Sequence, residues 1–284
     1  FEACDQSCHS GCYHGAMERL FFAEENLEYG INHLSMLDME RVVPTLCSKD
    51  KFSDPTQQVI FQCLHGGGHA ILYSIGYDLE LGLAACDLFP TQYDRSSCYG
   101  GMFMENVTAY DKSLRDLKEG DPLYPCNKLE DKYVPDCLSM QTSIMFEFGM
   151  RDKEIAETCA TLEKYADKCF ISLGRDLSND VRIDNAERTR KACEDYSGDF
   201  AGRCVEGALY ALIDNTWDGE FAYQYCDVIQ GDALQKDCFG YANDYLRWAY
   251  NFEKVKLLEH CVNLAGKNEK LCRDSVLDLA AFAA

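Results

Sequence analysis

Cys193-Glu-Asp-Tyr-Ser-Gly-Asp-Phe-Ala-Gly-Arg-Cys204-Val-Glu-Gly-Ala-Leu-Tyr-Ala-Leu212 is the stretch whose reading decides the fold. Between the cysteines, residues 197–203 are polar and turn-rich. After Cys204, the apolar residues Val205, Ala208, Leu209 and Leu212 recur at three- and four-residue spacing, the period of an amphipathic helix. One helical run thus ends at a cysteine and the next opens at a cysteine, with a short loop between them. The pair reads as a disulfide that staples a helical hairpin at its loop end.

The unit recurs along the chain. Cys86/Cys98, Cys126/Cys137, Cys159/Cys169, Cys193/Cys204, Cys226/Cys238 and Cys261/Cys272 have internal gaps of 12, 11, 10, 11, 12 and 11. The first cysteine of each pair advances by 40, 33, 34, 33 and 35 residues. A period in the thirties is the mark of stacked helical repeats. Cys47/Cys63 is the same unit with a longer loop, and Cys12-Tyr-His-Gly matches Cys63-Leu-His-Gly. Cys12 is therefore the second cysteine of an N-terminal unit whose first is Cys4 or Cys8. Eight pairs use sixteen of the 17 cysteines, leaving one among Cys4, Cys8 and Cys12 over. The expected fold is all-α: about eight disulfide-stapled hairpins in an α-solenoid. One helical-repeat domain spans 1–284, with histidine-bearing repeats in 1–85 and regular cysteine-paired repeats in 86–284. By the loop-entropy model each staple contributes roughly 2–3 kcal/mol.

In layout the chain resembles disulfide-bonded Sel1-like and tetratricopeptide-type solenoids. The tetratricopeptide consensus residues are not present, so the resemblance is to architecture and implies no activity.

Composition narrows compartment and partners. No Cys-x-x-Cys occurs, so the cysteines are not the knuckles of a thiolate metal site. Gaps of ten to twelve suit disulfides, which places the protein in an oxidising setting: secreted, periplasmic or on the cell surface. The start at Phe1, with no charged-then-apolar leader, fits the expectation of a processed mature product. No apolar run reaches the length of a membrane span. Lys and Arg number 27 against 48 Asp and Glu, a formal net charge of −21, and such a field repels phosphate backbones. Nucleic acid is therefore not an expected partner.

Chemistry is to be sought among the histidines. There are 6, and His14, His65 and His69 fall in the first two well-formed units. His14 and His65 each stand two residues after an aligned cysteine, so in a stacked array they face each other on adjacent helices. His69 follows His65 by one helical turn, and Glu18 follows His14 by the same interval. Two histidines at i and i+4 chelate metal from one helix face. His14, Glu18, His65 and His69 therefore form a candidate site for zinc or copper, and also for iron. The run Gly66, Gly67, Gly68 removes side chains between the histidines, letting a backbone, metal or ligand come close. Three helical glycines cost roughly 2–3 kcal/mol against alanine, which implies a retained purpose.

Other readings stand beside this one. Histidines at a helix interface can simply hydrogen-bond, and the glycines can serve packing. An acid–base site would use His65 or His69 with Glu18 or Glu105 as orienting carboxylate. Cys4-Asp-Gln-Ser-Cys8-His9 resembles a c-type haem attachment with one extra residue, with His9 as proximal ligand and His14, His65 or Met17 opposite. No Gly-x-Ser-x-Gly supports an acyl-transfer enzyme. A protein with no chemistry would be a secreted scaffold or filament subunit, using the solenoid surface or the odd cysteine to dock a partner or its own copies. Asn106 heads the sequon Asn-Val-Thr inside an expected helix. His33 and His260 read as ordinary surface or packing residues, and Trp217 and Trp248 as packing residues first and partner contacts second.

Overall fold

The computed structural model describes residue 4 and residues 11–24, 34–53, 55–183 and 185–279. Among them the regular structure is helical and no strand occurs. The α-helices are α1 (Gly11–Glu24), α2 (Met36–Val42), α3 (Gln57–Ser74), α4 (Leu79–Cys86), α5 (Gln92–Thr108), α6 (Val134–Glu147), α7 (Asp152–Ala160), α8 (Ala166–Arg182), α9 (Ala186–Lys191), α10 (Ala201–Thr216), α11 (Glu220–Val228), α12 (Asp232–Tyr250), α13 (Lys254–Leu264) and α14 (Glu269–Asp278).

Side chains cap the starts of α3, α4 and α5. Thr56 Oγ1 accepts from the Val59 amide to cap α3, and Asp78 accepts from Leu81 to cap α4. Thr91 and Asp94 exchange side-chain and backbone hydrogen bonds as a capping box on α5. At their far ends, α10 and α12 stop on Trp217 and Asn251 in the left-handed region.

The disulfides pair as the ladder spacing implies: Cys47–Cys63, Cys86–Cys98, Cys126–Cys137, Cys159–Cys169, Cys193–Cys204, Cys226–Cys238 and Cys261–Cys272. Of the alternatives at the N-terminus, Cys12 joins Cys4. That bond corrects the haem reading, because the Cys4 sulfur needed for a thioether is already committed. Cys8 and His9 lie outside the described residues. The cysteines of these seven pairs are buried, so each staple is also part of the core.

Contacts divide the chain into two compact units, meeting in sequence between Ile144 and Met145. In the first, α1 packs on α3 and α3 on α5. In the second, α8 packs on α10, α10 on α12 and α12 on α14. One crossing device serves both units. A Cβ on Gly68 of α3 would lie 2.7 Å from the Met102 amide nitrogen of α5, and closer still to the Cys98 carbonyl oxygen. A Cβ on Gly101 of α5 would overlap the His65 carbonyl oxygen in return. In the second unit, Gly174 of α8 meets the Cys204 carbonyl and Gly207 of α10 meets that of Ile171 in the same way. The registers agree: the glycines stand five and three residues after the aligned cysteines in both crossings. Only glycine lets the helix backbones approach this closely.

The glycine run between the histidines is thereby accounted for by packing. Gly66 takes the Met17 side chain from α1, Gly67 faces Leu46, and Gly68 takes the α5 backbone. Of the three approaches expected for this run, backbone approach is the one it makes at Gly68. α3 is buried nearly all round, and four of its buried residues are Gln58, Gln62, His65 and His69. Polar side chains on such a helix need partners.

Candidate metal centre

Two helices bring the histidines together. α1 supplies His14, and its buried Met17 sits over Gly66, fixing how α1 lies on α3. α3 supplies His65 and His69 from consecutive turns, each 5% exposed. The His14 ring stacks on that of His69 with centroids 4.3 Å apart; His14–His65 and His65–His69 are at 5.5 and 5.2 Å. One ring nitrogen from each histidine lies within 4.8 Å of the other two, a grouping that could hold a metal ion.

Electrostatics keep the group ready for a cation. Burial, reinforced by the nearby His69 ring, pushes His14 down to about 3, against a weaker opposing pull from Glu105. His14 is therefore neutral at physiological pH and offers a lone pair. Glu105 of α5 accepts from His69 Nδ1 through Oε2 at 2.9 Å and from the Tyr77 hydroxyl through Oε1 at 2.5 Å. Burial alone would raise the Glu105 carboxyl, but these hydrogen bonds and the adjacent histidines hold it below its ordinary value. An ionised carboxylate only accepts, so Nδ1 of His69 carries a proton and, in the neutral ring, Nε2 keeps its lone pair. The Nε2 atoms of His14 and His69 are buried with no hydrogen-bond partner. Each such orphan costs about 1–3 kcal/mol, which coordination would offset.

Tyr77 owes its position to the end of α3. The chain reverses through Gly76 and Tyr77, both at positive φ (75° and 65°), and the Tyr77 amide donates back to the Leu72 carbonyl. A non-glycine residue there costs on the order of 1–3 kcal/mol, and here it aims a phenol at Glu105. Burial first, then the bond to Glu105, pushes that phenol above its ordinary value, so it remains a donor.

The three histidines expected in the site are thus together. Glu18 is outside the three-histidine grouping, although its charge reaches Tyr77. The carboxylate bound to the cluster is Glu105, expected only as an orienting group. Tyr77 was not foreseen; Gly76 at the end of the helical period is the one local sign of the turn that places it. Elsewhere, His260 Nδ1 donates to the Lys256 carbonyl at 2.9 Å and its ring packs against Phe252 and Tyr223. His33 lies outside the described residues. Asn106 is 2% exposed, and its side chain bonds both the carbonyl and the amide of Asp116, so the sequon asparagine is used internally. Trp217 is the left-handed end of α10, and Trp248 is 44% exposed.

No protein-family model, no curated protein and no solved structure matches this chain. Function has to be argued from the site itself. Among the described residues no helix is long and apolar enough to cross a membrane.

Proposed function

We propose that the chain is an extracytoplasmic, disulfide-stapled α-solenoid that binds a divalent transition metal, zinc or copper ahead of iron, through His14, His65 and His69. The observation that carries the reading is the convergence of three ring nitrogens within 4.8 Å of one another in a largely buried site. Imidazole is a good ligand for each of these metals. The residues present fit the group: His14 is held neutral by burial, and the His14 and His69 Nε2 atoms are buried without other partners. Glu105 engages His69 Nδ1 and leaves Nε2 as the available donor, the role an outer carboxylate plays for a metal-bound histidine. A bound metal would supply Lewis acidity there. Eight disulfides support the oxidising compartment, where copper and zinc are met without competing thiols.

Elemental analysis of the purified protein, followed by zinc and copper titration of the chelated form, tests the reading. One equivalent of metal is expected, lost in His65→Ala/His69→Ala. A protein that is metal-free and unchanged on adding either metal would sink it.

A further inference from the structure

We propose that the three-histidine centre is coordinatively open: three imidazole nitrogens hold the metal, and the remaining position belongs to water or a small monodentate anion. This rests on the metal reading above and asks what that metal can do.

The donor count comes first. Among the described residues the grouping that could hold an ion contains three histidines, with no cysteine and no carboxylate. Zinc closes its structural sites with four protein ligands, and sites with three keep a fourth position for water or substrate. The obvious fourth donor is Glu105, and it is committed elsewhere. Its Oε2 holds His69 Nδ1 and its Oε1 holds the Tyr77 hydroxyl, and it is not among the residues whose ligand atoms converge. Glu105 is thereby a positioning residue, acting on the metal through His69.

Gly100 of α5 is half-buried beside the His65 ring, where a Cβ would lie 3.5 Å from Nδ1. Glycine at that position adds no α5 side chain beside the ring, although His65 itself is only 5% exposed. His14 is the least buried of the three ligands, although its Nε2 is itself buried. A metal held by the three histidines would act as a Lewis acid on a water at its remaining position and lower the pKa of that water toward neutrality. Small anions compete for the same place.

Cobalt(II) loaded into the chelated protein reports on this directly, because its visible bands follow coordination. Azide titration should shift the bands with one-to-one saturation, and a pH series without azide should shift them with a midpoint of about 7. His65→Ala/His69→Ala, treated identically, should show neither cobalt band. Bound cobalt whose spectrum ignores both azide and pH would overturn the open centre while leaving the metal reading intact. A protein that takes up neither cobalt nor zinc would overturn both.

Discussion

The backbone of Gly101 in α5 runs directly against His65 in α3, so that a Cβ at position 101 would overlap the His65 carbonyl oxygen and lie 3.1 Å from its Cα. The helix that carries His65 and His69 is therefore positioned by a contact that involves no side chain. Gly101→Ala gains about 1 kcal/mol of helix propensity and loses more to forced separation of the helices, for a net destabilisation of about 1–3 kcal/mol. Because His65 moves with the crossing, metal affinity should fall as well. Gly207→Ala, against the Ile171 carbonyl in the second unit, should show a similar stability loss with metal affinity unchanged. Urea denaturation and metal titration of the two variants check this, and equal metal affinity in both would refute it.

Asp214 gives a second prediction, independent of metal. It is half-buried on α10 and accepts from the Tyr245 hydroxyl at 3.0 Å and the Tyr250 hydroxyl at 2.8 Å. Loss of water raises its carboxyl to about 6, against the opposing pull of the two phenols. The folded state thus binds the proton more tightly than the unfolded chain, whose carboxyl titrates near the ordinary value of 3.8. Stability consequently falls as pH rises from about 4 to 6, and the full cost is present above 6. One pK unit is about 1.4 kcal/mol, and partial exposure reduces the total to about 1–2 kcal/mol. Asp214→Asn should be more stable than the parent by that amount at pH 7.5 and lose the advantage near pH 3.5. A gain that is the same at both pH values would show that the charge is not its cause.

What could be read from the chain, and what could not, follows the range of the forces involved. The pairing of Cys86 with Cys98, or Cys193 with Cys204, is legible because a hairpin of that length brings two Cβ atoms into disulfide range. His65 and His69 are legible from helical period alone, and His14 from its register after Cys12. At Cys12 itself the choice between Cys4 and Cys8 was open, since both lie within reach of the same loop. Glu105 escaped a firm reading because its contact with His69 depends on how closely α3 and α5 approach. That distance is set by Gly68 and Gly101, two residues whose meaning appears only when the helices meet. Tyr77 was missed for a related reason: it lies beyond the end of α3, and the left-handed turn at Gly76 and Tyr77 aims it back at the site.

The disulfides yield a direct count. Eight bonds take sixteen of the 17 cysteines, so denatured, unreduced protein should release at most one thiol per chain and reduced protein 17. Replacing both Cys86 and Cys98 by alanine should cost about 2–3 kcal/mol through the restored loop entropy of the unfolded chain, measured by urea denaturation. Several free thiols before reduction would remove the argument from disulfides to compartment.

Metal should stabilise the chain locally. His14 belongs to α1, which packs on α3 with Met17 against Gly66 and with the histidine stack. A metal shared by His14, His65 and His69 joins the two helices, so every opening of α1 then also removes a ligand. At one hundred times the dissociation constant, binding adds about 2.7 kcal/mol against any opening that breaks the site. Hydrogen exchange with and without zinc should therefore slow the amides of α1 and α3 by roughly a hundredfold, the exchange equivalent of that energy. The amides of α10 and α12, which belong to the other compact unit, should exchange at unchanged rates. In His14→Ala the zinc effect on α1 should vanish. Uniform protection across both units would mean that the metal binds somewhere other than the three-histidine cluster.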